Sequence, residues 1–214
     1  YARGDCALPL RRDPQLGRQS CDPATWTVWV VPAAAIHVEL TWTSPGDPDP
    51  FDEGPDVGTD LGLHFAHPNA SQYDLDGDGK EDPWFDPTWD VFWFYPDQNW
   101  GSVTASDDNP SLDRDDVDSN GPENINLDVP EDGKTYSFGV NFWDDHGFEA
   151  VRATVRVYIY AQLAYQVTDV ELVDHDMWWV GTIDWPSALV TAKQTASGDI
   201  WLTHDYHHPL FYQR

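Results

Sequence analysis

The sequence predicts an all-β fold, a jelly-roll-like β-sandwich of antiparallel strands joined by long acidic loops. Three observations carry that expectation. Apolar and polar residues alternate with a period of two over many short segments. Pro, Gly, Asp and Asn punctuate those segments. No segment combines a 3.6-residue apolar period with capping residues, so no helix is expected.

Taken in order, residues 1–34 read as an N-terminal arm. The arm contains "DCALPLRRDPQLGRQSC", with both cysteines of the chain, Cys6 and Cys21. Paired, they would close a loop whose chain-entropy contribution is on the order of 3 kcal/mol. The alternative is two free thiols. The disulfide suits a segment too poor in apolar residues to build a core, and it points to an exported protein. "TWTVWVV" then reads as a strand.

Residues 35–192 form the expected sandwich. In "AIHVELTWT", Ile36, Val38, Leu40 and Trp42 share one face, and His37, Glu39 and Thr41 the other. In "VRATVRVYIY", Val151, Ala153, Val155, Val157 and Ile159 oppose Arg152, Thr154, Arg156, Tyr158 and Tyr160. "LGLHFA", "DVFWFY", "TYSFGVNFW", "YQVTDVELV", "WWVGTIDW" and "DIWLTH" are read as further strands. Long loops separate them, from Ser44 to about Asp60 and from Asn99 to about Glu123. Loops of that length in a compact domain are functional or disordered. Residues 193–214 are a last strand and tail, or the entry into another domain.

Composition narrows the partners. The 214 residues carry 11 Lys and Arg against 38 Asp and Glu, a net charge of −27. Such a field repels nucleic acid and anionic membranes and attracts cations or a basic partner. A salt-rich habitat would also favour it, but acid here is clustered in loops rather than spread over strand faces. Aromatic residues make up 14% of the chain, twelve of them Trp, which argues against disorder. No apolar run approaches the roughly 20 residues of a membrane span.

The most specific motif is "DLDGDGKEDPWFD", residues 74–86. Counted from Asp74, carboxylates fall at positions 1, 3, 5 and 9 (Asp74, Asp76, Asp78, Asp82), Gly79 at 6, and Lys80 at 7 with only its carbonyl to offer. This is the spacing with which a tight loop aims hard oxygen ligands at calcium. Position 12 departs from an EF-hand, since it is Phe85, with Asp86 one place on. The proline-bearing flanks are not helices. The expectation is an EF-hand-like loop between strands, as in dockerin or thrombospondin type 3 repeats, with Asp86, water or a distant group completing the cage. The competing reading is a solvated acidic turn.

A second acidic constellation runs from 106 to 127, where Asp113, Asp115, Asp116 and Asp118 crowd one loop ahead of Glu123. Crowded like charges are unfavourable unless a cation or hydrogen bonds offset them. A flexible acidic loop is the plainer alternative.

"TDLGLHFAHP", "DVFWFYPDQNWG", "NPSLDRDDVDSNGPENINL", "YSFGVNFWDD", "ATVRVYIY" and "VGTIDWPS" occur in that order over roughly residues 36–190. The series resembles an uncharacterised β-sandwich module of exported proteins from myxobacteria and related bacteria. Members of that family show a DLDLH-type strand, a WG pair, a "PSLDxDDxDGxGPEN" loop and a closing "ATIDWPS". The resemblance implies a sandwich fold and export to the cell surface or outside, and no particular chemistry. It also implies Asp60, Asp113, Asp115, Asp116, Asp118 and Glu123 as ion ligands. The chain departs from the family pattern at Gly62, where a carboxylate is lost, and at Val91, where a Cys often stands.

The expected function is therefore a non-catalytic calcium-binding module of a secreted or cell-surface protein, engaged in adhesion, matrix or glycan binding. Trp84, Trp89, Trp100 and Trp178 are candidate platforms for stacking sugar rings, against the plainer reading that they pack in the core. Tandem Trp178 and Trp179 must point to opposite faces of a strand. Alternatives are a self-assembling filament or surface-layer subunit and a glycan hydrolase using paired carboxylates. No GxSxG elbow, HExxH or Cys/His pair supports an enzyme. "HFAH" and "HDYHHP" could bind a transition metal, but in a strand His64 and His67 fall on opposite faces, which weakens the pair.

Overall fold

The computed structural model describes residues 33–50, 54, 56–117 and 121–211. The chain divides into two units, Tyr1–Val30 and Val31–Arg214, and all described residues belong to the second. Cys6, Cys21, "TWTVWVV" through residue 31 and Asp118 lie outside the described residues.

No helix occurs among the described residues, and two antiparallel sheets face each other. Strands β1 (Ile36–Thr43), β4 (Ser111–Leu112), β5 (Glu123–Leu127), β7 (Val151–Ile159) and β8 (Gln162–Leu172) form the first sheet, in the order β4-β5-β1-β7-β8. The second runs β10-β9-β6-β2-β3, built from β2 (Asp60–Ala66), β3 (Asp90–Val91), β6 (Thr135–Asp144), β9 (Met177–Asp184) and β10 (Leu189–Ala192). β11 (Trp201–Thr203) also pairs with β9.

Alternation places the core. Ile36, Val38, Leu40 and Trp42 are no more than 3% exposed and meet Leu61, Leu63, Phe65, Phe138, Val140 and Phe142 from the opposite sheet. Val151, Ala153, Val155 and Val157 add the inward face of β7, as its period-two pattern predicts. On β5 the inward positions are Glu123, Ile125 and Leu127, so a carboxylate stands in register with core residues.

β2 does not alternate, because both of its faces are covered. Leu61, Leu63 and Phe65 point into the sandwich, and Gly62, His64 and Ala66 lie on the outer face, all buried. That outer face carries a second cluster, in which Ala66, Trp84, Phe85, Phe92, Met177 and Tyr206 are packed by Leu75, Trp93, Trp143, Trp179 and Phe211. Two connections supply the cover: the excursion from 67 to 95 and the chain from 201 to 211. Gly139 permits the close fit, since a Cβ there would lie 2.8 Å from Trp84 Cη2 and 2.9 Å from Met177 Cε.

One expected strand differs in length. "DVFWFY" extends only over Asp90–Val91, after which the chain turns back so that Phe92 bridges Tyr95. An extended strand would send alternate rings to water, whereas the turn lets Phe92, Trp93 and Tyr95 join one cluster and leaves Phe94 52% exposed. The stretch from 193 belongs to the second unit, tied by β11 and by the buried Tyr206 and His208.

Candidate metal centre

The loop from Asp74 is shaped by its own amides. Gly77 N–H and Gly79 N–H donate to the two oxygens of Asp74, at 2.9 and 3.1 Å. Asp78 N–H donates to Asp76 Oδ1 and Lys80 N–H to Asp78 Oδ1, each at 2.9 Å. Gly77 and Gly79 adopt φ of +77° and +86°, which a side chain would strain. The result is convergence. One carboxylate oxygen each from Asp74, Asp76 and Asp78 lies within 4.8 Å of the others, a set able to hold a metal ion. Lys80 extends its ammonium to within 3.9 Å of Asp78 Oδ2.

Asp82 and Asp86 do not join this triad. Asp82 is 3% exposed, and its Oδ2 accepts from Leu75 N–H (2.9 Å), Asp76 N–H (3.3 Å) and the Tyr206 hydroxyl (3.0 Å). Burial, and after it the charge of Asp76, pushes its carboxyl up to about 6 against the pull of those hydrogen bonds. It anchors the base of the loop. Asp86, expected to replace the missing twelfth ligand, is instead a buried cap. Its Oδ1 accepts from Thr88 and Trp89 N–H at 2.8 and 3.0 Å, and its Oδ2 from Ser71 N–H and the Gln72 amide at 3.2 and 3.3 Å. The reason is local: Asp86 begins a turn whose amides need an acceptor.

The second constellation is brought together by the sheets. Glu123 is fully buried, its Oε2 accepting from Leu63 N–H at 2.6 Å and its Oε1 from Asp116 N–H at 3.1 Å. The charge of Asp115 acts on Glu123 from nearby. Asp60 feels Asp115, Asp144 and Asp116, and burial followed by those charges pushes it up to about 7 while His146 pulls it down. Burial likewise holds Glu123 well above the usual carboxylate range. Asp116 takes an ion pair from Arg114 at 3.0 Å. Asp113 is exposed, its N–H bound to Asn124 O at 3.0 Å.

A third group escaped sequence reading. Asp144, Asp145 and Asp174 also present oxygens within 4.8 Å of one another. Burial raises Asp174, His175 lowers it, and Asp145 and Asp144 raise it further. Asp144 is the register partner of Asp60, so this triad and the Glu123 cluster are neighbours at one end of the second sheet. The signal available was "WDDHG", where two acids precede a glycine turn. Nothing local links it to Asp174, thirty residues on.

The tryptophan expectations are largely reversed. Trp84, Trp100 and Trp178 are each 1% exposed, so no ring face is open to a sugar. Trp84 fills the outer-face cluster, and Trp100 and Trp178 the sandwich interior. Trp89 is half-buried, its ring 4.6 Å from that of His67. Trp178 and Trp179 do face opposite ways, the first into the sandwich and the second against the outer cluster.

Comparison with family models, curated proteins and solved structures finds no match to this chain. The resemblance to the exported bacterial module rests on its motifs alone.

Proposed function

We propose that this chain is a non-catalytic, calcium-binding β-sandwich module of a secreted or cell-surface protein, serving adhesion, matrix or glycan binding. The observation that carries this is the convergence of Asp74, Asp76 and Asp78 on one point of a five-residue loop. Three hard oxygens on a water-accessible loop suit calcium, which accepts six to eight oxygens with water among them, better than zinc or copper. The charges of Asp60 and Asp115 act on the fully buried Glu123, and a cation there would offset that repulsion, which supports a second site.

Calcium titration calorimetry of the chelator-treated protein tests the reading. Heat of binding with a stoichiometry of at least one is expected, and no heat at millimolar calcium removes it. With three of four tryptophans buried, a sugar ligand would have to use other rings, and a glycan array with calcium present decides between glycan and protein partners. The self-assembly alternative draws on β8, an eleven-residue strand paired only with β7 among the described residues. A sizing column run with and without EGTA tests it, and a monomer in both runs excludes it.

A further inference from the structure

The chain from Trp201 to Phe211 begins as β11, paired with β9, then continues over the outer face of the second sheet, and it reaches the acidic loop at two points. Trp201 Nε1–H donates to Asp76 Oδ2 at 3.0 Å, across 125 residues of sequence. The Tyr206 hydroxyl donates to Asp82 Oδ2, also at 3.0 Å, on the oxygen that gathers Leu75 and Asp76 N–H. One of these contacts holds a member of the converging triad, and the other holds the backbone beneath it.

The rest of this strap covers the outer cluster. Tyr206 N–H bonds His175 O at 2.8 Å, and Phe211 N–H bonds His208 O at 3.1 Å. Under it lies a buried polar pair: His64 Nδ1–H donates to Asp90 at 2.6 Å, with both side chains fully buried. His64 Nε2, Asp90 Oδ1 and His208 Nε2 have no hydrogen-bond partner from the protein there. Burying unpaired polar atoms disfavours the closed arrangement and offsets part of the hold that β11 pairing and apolar cover supply. The two bonds to the acidic loop therefore bear on whether it stays closed.

We propose that Trp201–Phe211 is the calcium-responsive element of this protein: cation binding at Asp74, Asp76 and Asp78 and docking of the strap are coupled. The coupling rests on the calcium reading above. Without a cation the three carboxylates repel one another and strain the loop geometry that Trp201 and Tyr206 grip. With one bound, the loop contracts onto the ion and presents Asp76 and Asp82 in place. Release of the strap uncovers Phe85, Phe92 and the His64–Asp90 pair. Linkage makes the effect reciprocal, so weakening the strap weakens calcium binding by the same factor.

Amide hydrogen exchange on the full chain, chelated and then in millimolar calcium or magnesium, tests this together with calorimetry. Calcium should slow exchange at the Tyr206 and Phe211 amides about tenfold or more, while β8 amides, which open without disturbing the loop, are unchanged. Trp201→Phe keeps a ring and loses the donor, and is expected to weaken calcium affinity about fivefold. Tyr206→Phe supplies the same comparison if the first variant folds poorly. Calcium heat with strap amides that behave like those of β8, or with unchanged affinity in both variants, overturns the coupling and leaves the calcium reading standing. No calcium heat removes both.

Discussion

The loop at 74–78 and the cluster around Glu123 are both crowded with acid, and they solve the crowding in different media. In the loop, carboxylates sit at the water boundary and accept from amides two to five residues away. In the second, Glu123 is withdrawn from water and bonded across strands, to the amides of Leu63 on β2 and of Asp116. Repulsion is screened in the first and must be offset by hydrogen bonds, a bound proton or a cation in the second. Similar crowding thus gives an open cluster that could hold a metal ion and another whose central carboxyl is built into the fold.

The largest expected effect separates them directly. Glu123→Ala leaves the Leu63 and Asp116 amides unpaired in the interior, and should lower stability by about 3 kcal/mol in urea unfolding of the chelated protein. Asp74→Ala under the same conditions should change stability by less than about 1 kcal/mol, since its amide partners turn to water. Equal losses would erase the distinction between the two regions.

Calcium supplies the next test. At a concentration near one hundred times Kd, a ligand bound only to the folded state adds about 2.7 kcal/mol, or roughly 5–10 °C in Tm for a chain of this size. Asp76→Ala should abolish most of that gain while costing the chelated protein only the Trp201 contact, about 1 kcal/mol. A full calcium shift in Asp76→Ala would move the site away from the loop and toward the buried cluster.

The same contrast explains what was legible in the sequence. The loop triad lies within five residues, so spacing alone places it. β1 and β7 are legible because one face is buried and the other is not. β2 is not, because its outer face is covered by segments that arrive from 67–95 and 201–211, and burial of Gly62, His64 and Ala66 is decided there. Asp82 and Asp86 occupy plausible ligand positions, but their oxygens are engaged by Tyr206 and by turn amides. The Asp144, Asp145 and Asp174 triad depends on long-range chain placement that spacing does not encode. Trp100 and Trp178 fill the sandwich interior, and Trp84 is drawn into a second cluster that a simple two-sheet picture lacks.

A smaller effect is expected from pH. Asp60 is held at about 7, first by burial and then by Asp115, while an unfolded Asp titrates near roughly 3.9. Between those values the unfolded chain ionises and the folded one keeps its proton. Stability from this group is therefore present at low pH and is lost as pH rises through about 7. His67 and His208, whose buried rings are held toward the neutral form, act in the opposite direction. The informative quantity is the difference between wild type and Asp60→Asn, chelated, from pH 5 to 8. The wild type should lose on the order of 1–2 kcal/mol more than the variant over that range. An identical slope in both would mean that Asp60 is ionised throughout and paired with His146.

The smallest effect sharpens the comparison most finely. Lys80 is largely exposed, with its ammonium 3.9 Å from Asp78 Oδ2. A positive charge at that distance opposes a cation on the same carboxylate, but water and salt screen it. Lys80→Gln should tighten calcium binding about twofold at low ionic strength, and the gain should vanish at about 0.5 M salt. Glu123 offers the opposite control, because the destabilisation from Glu123→Ala arises from unpaired buried amides and should persist at both salt concentrations. Titration calorimetry of Lys80→Gln and urea unfolding of Glu123→Ala, each at two ionic strengths, read the two media separately. If salt leaves the Lys80→Gln gain intact, the loop is less solvated than its exposure implies, and the contrast between the regions narrows.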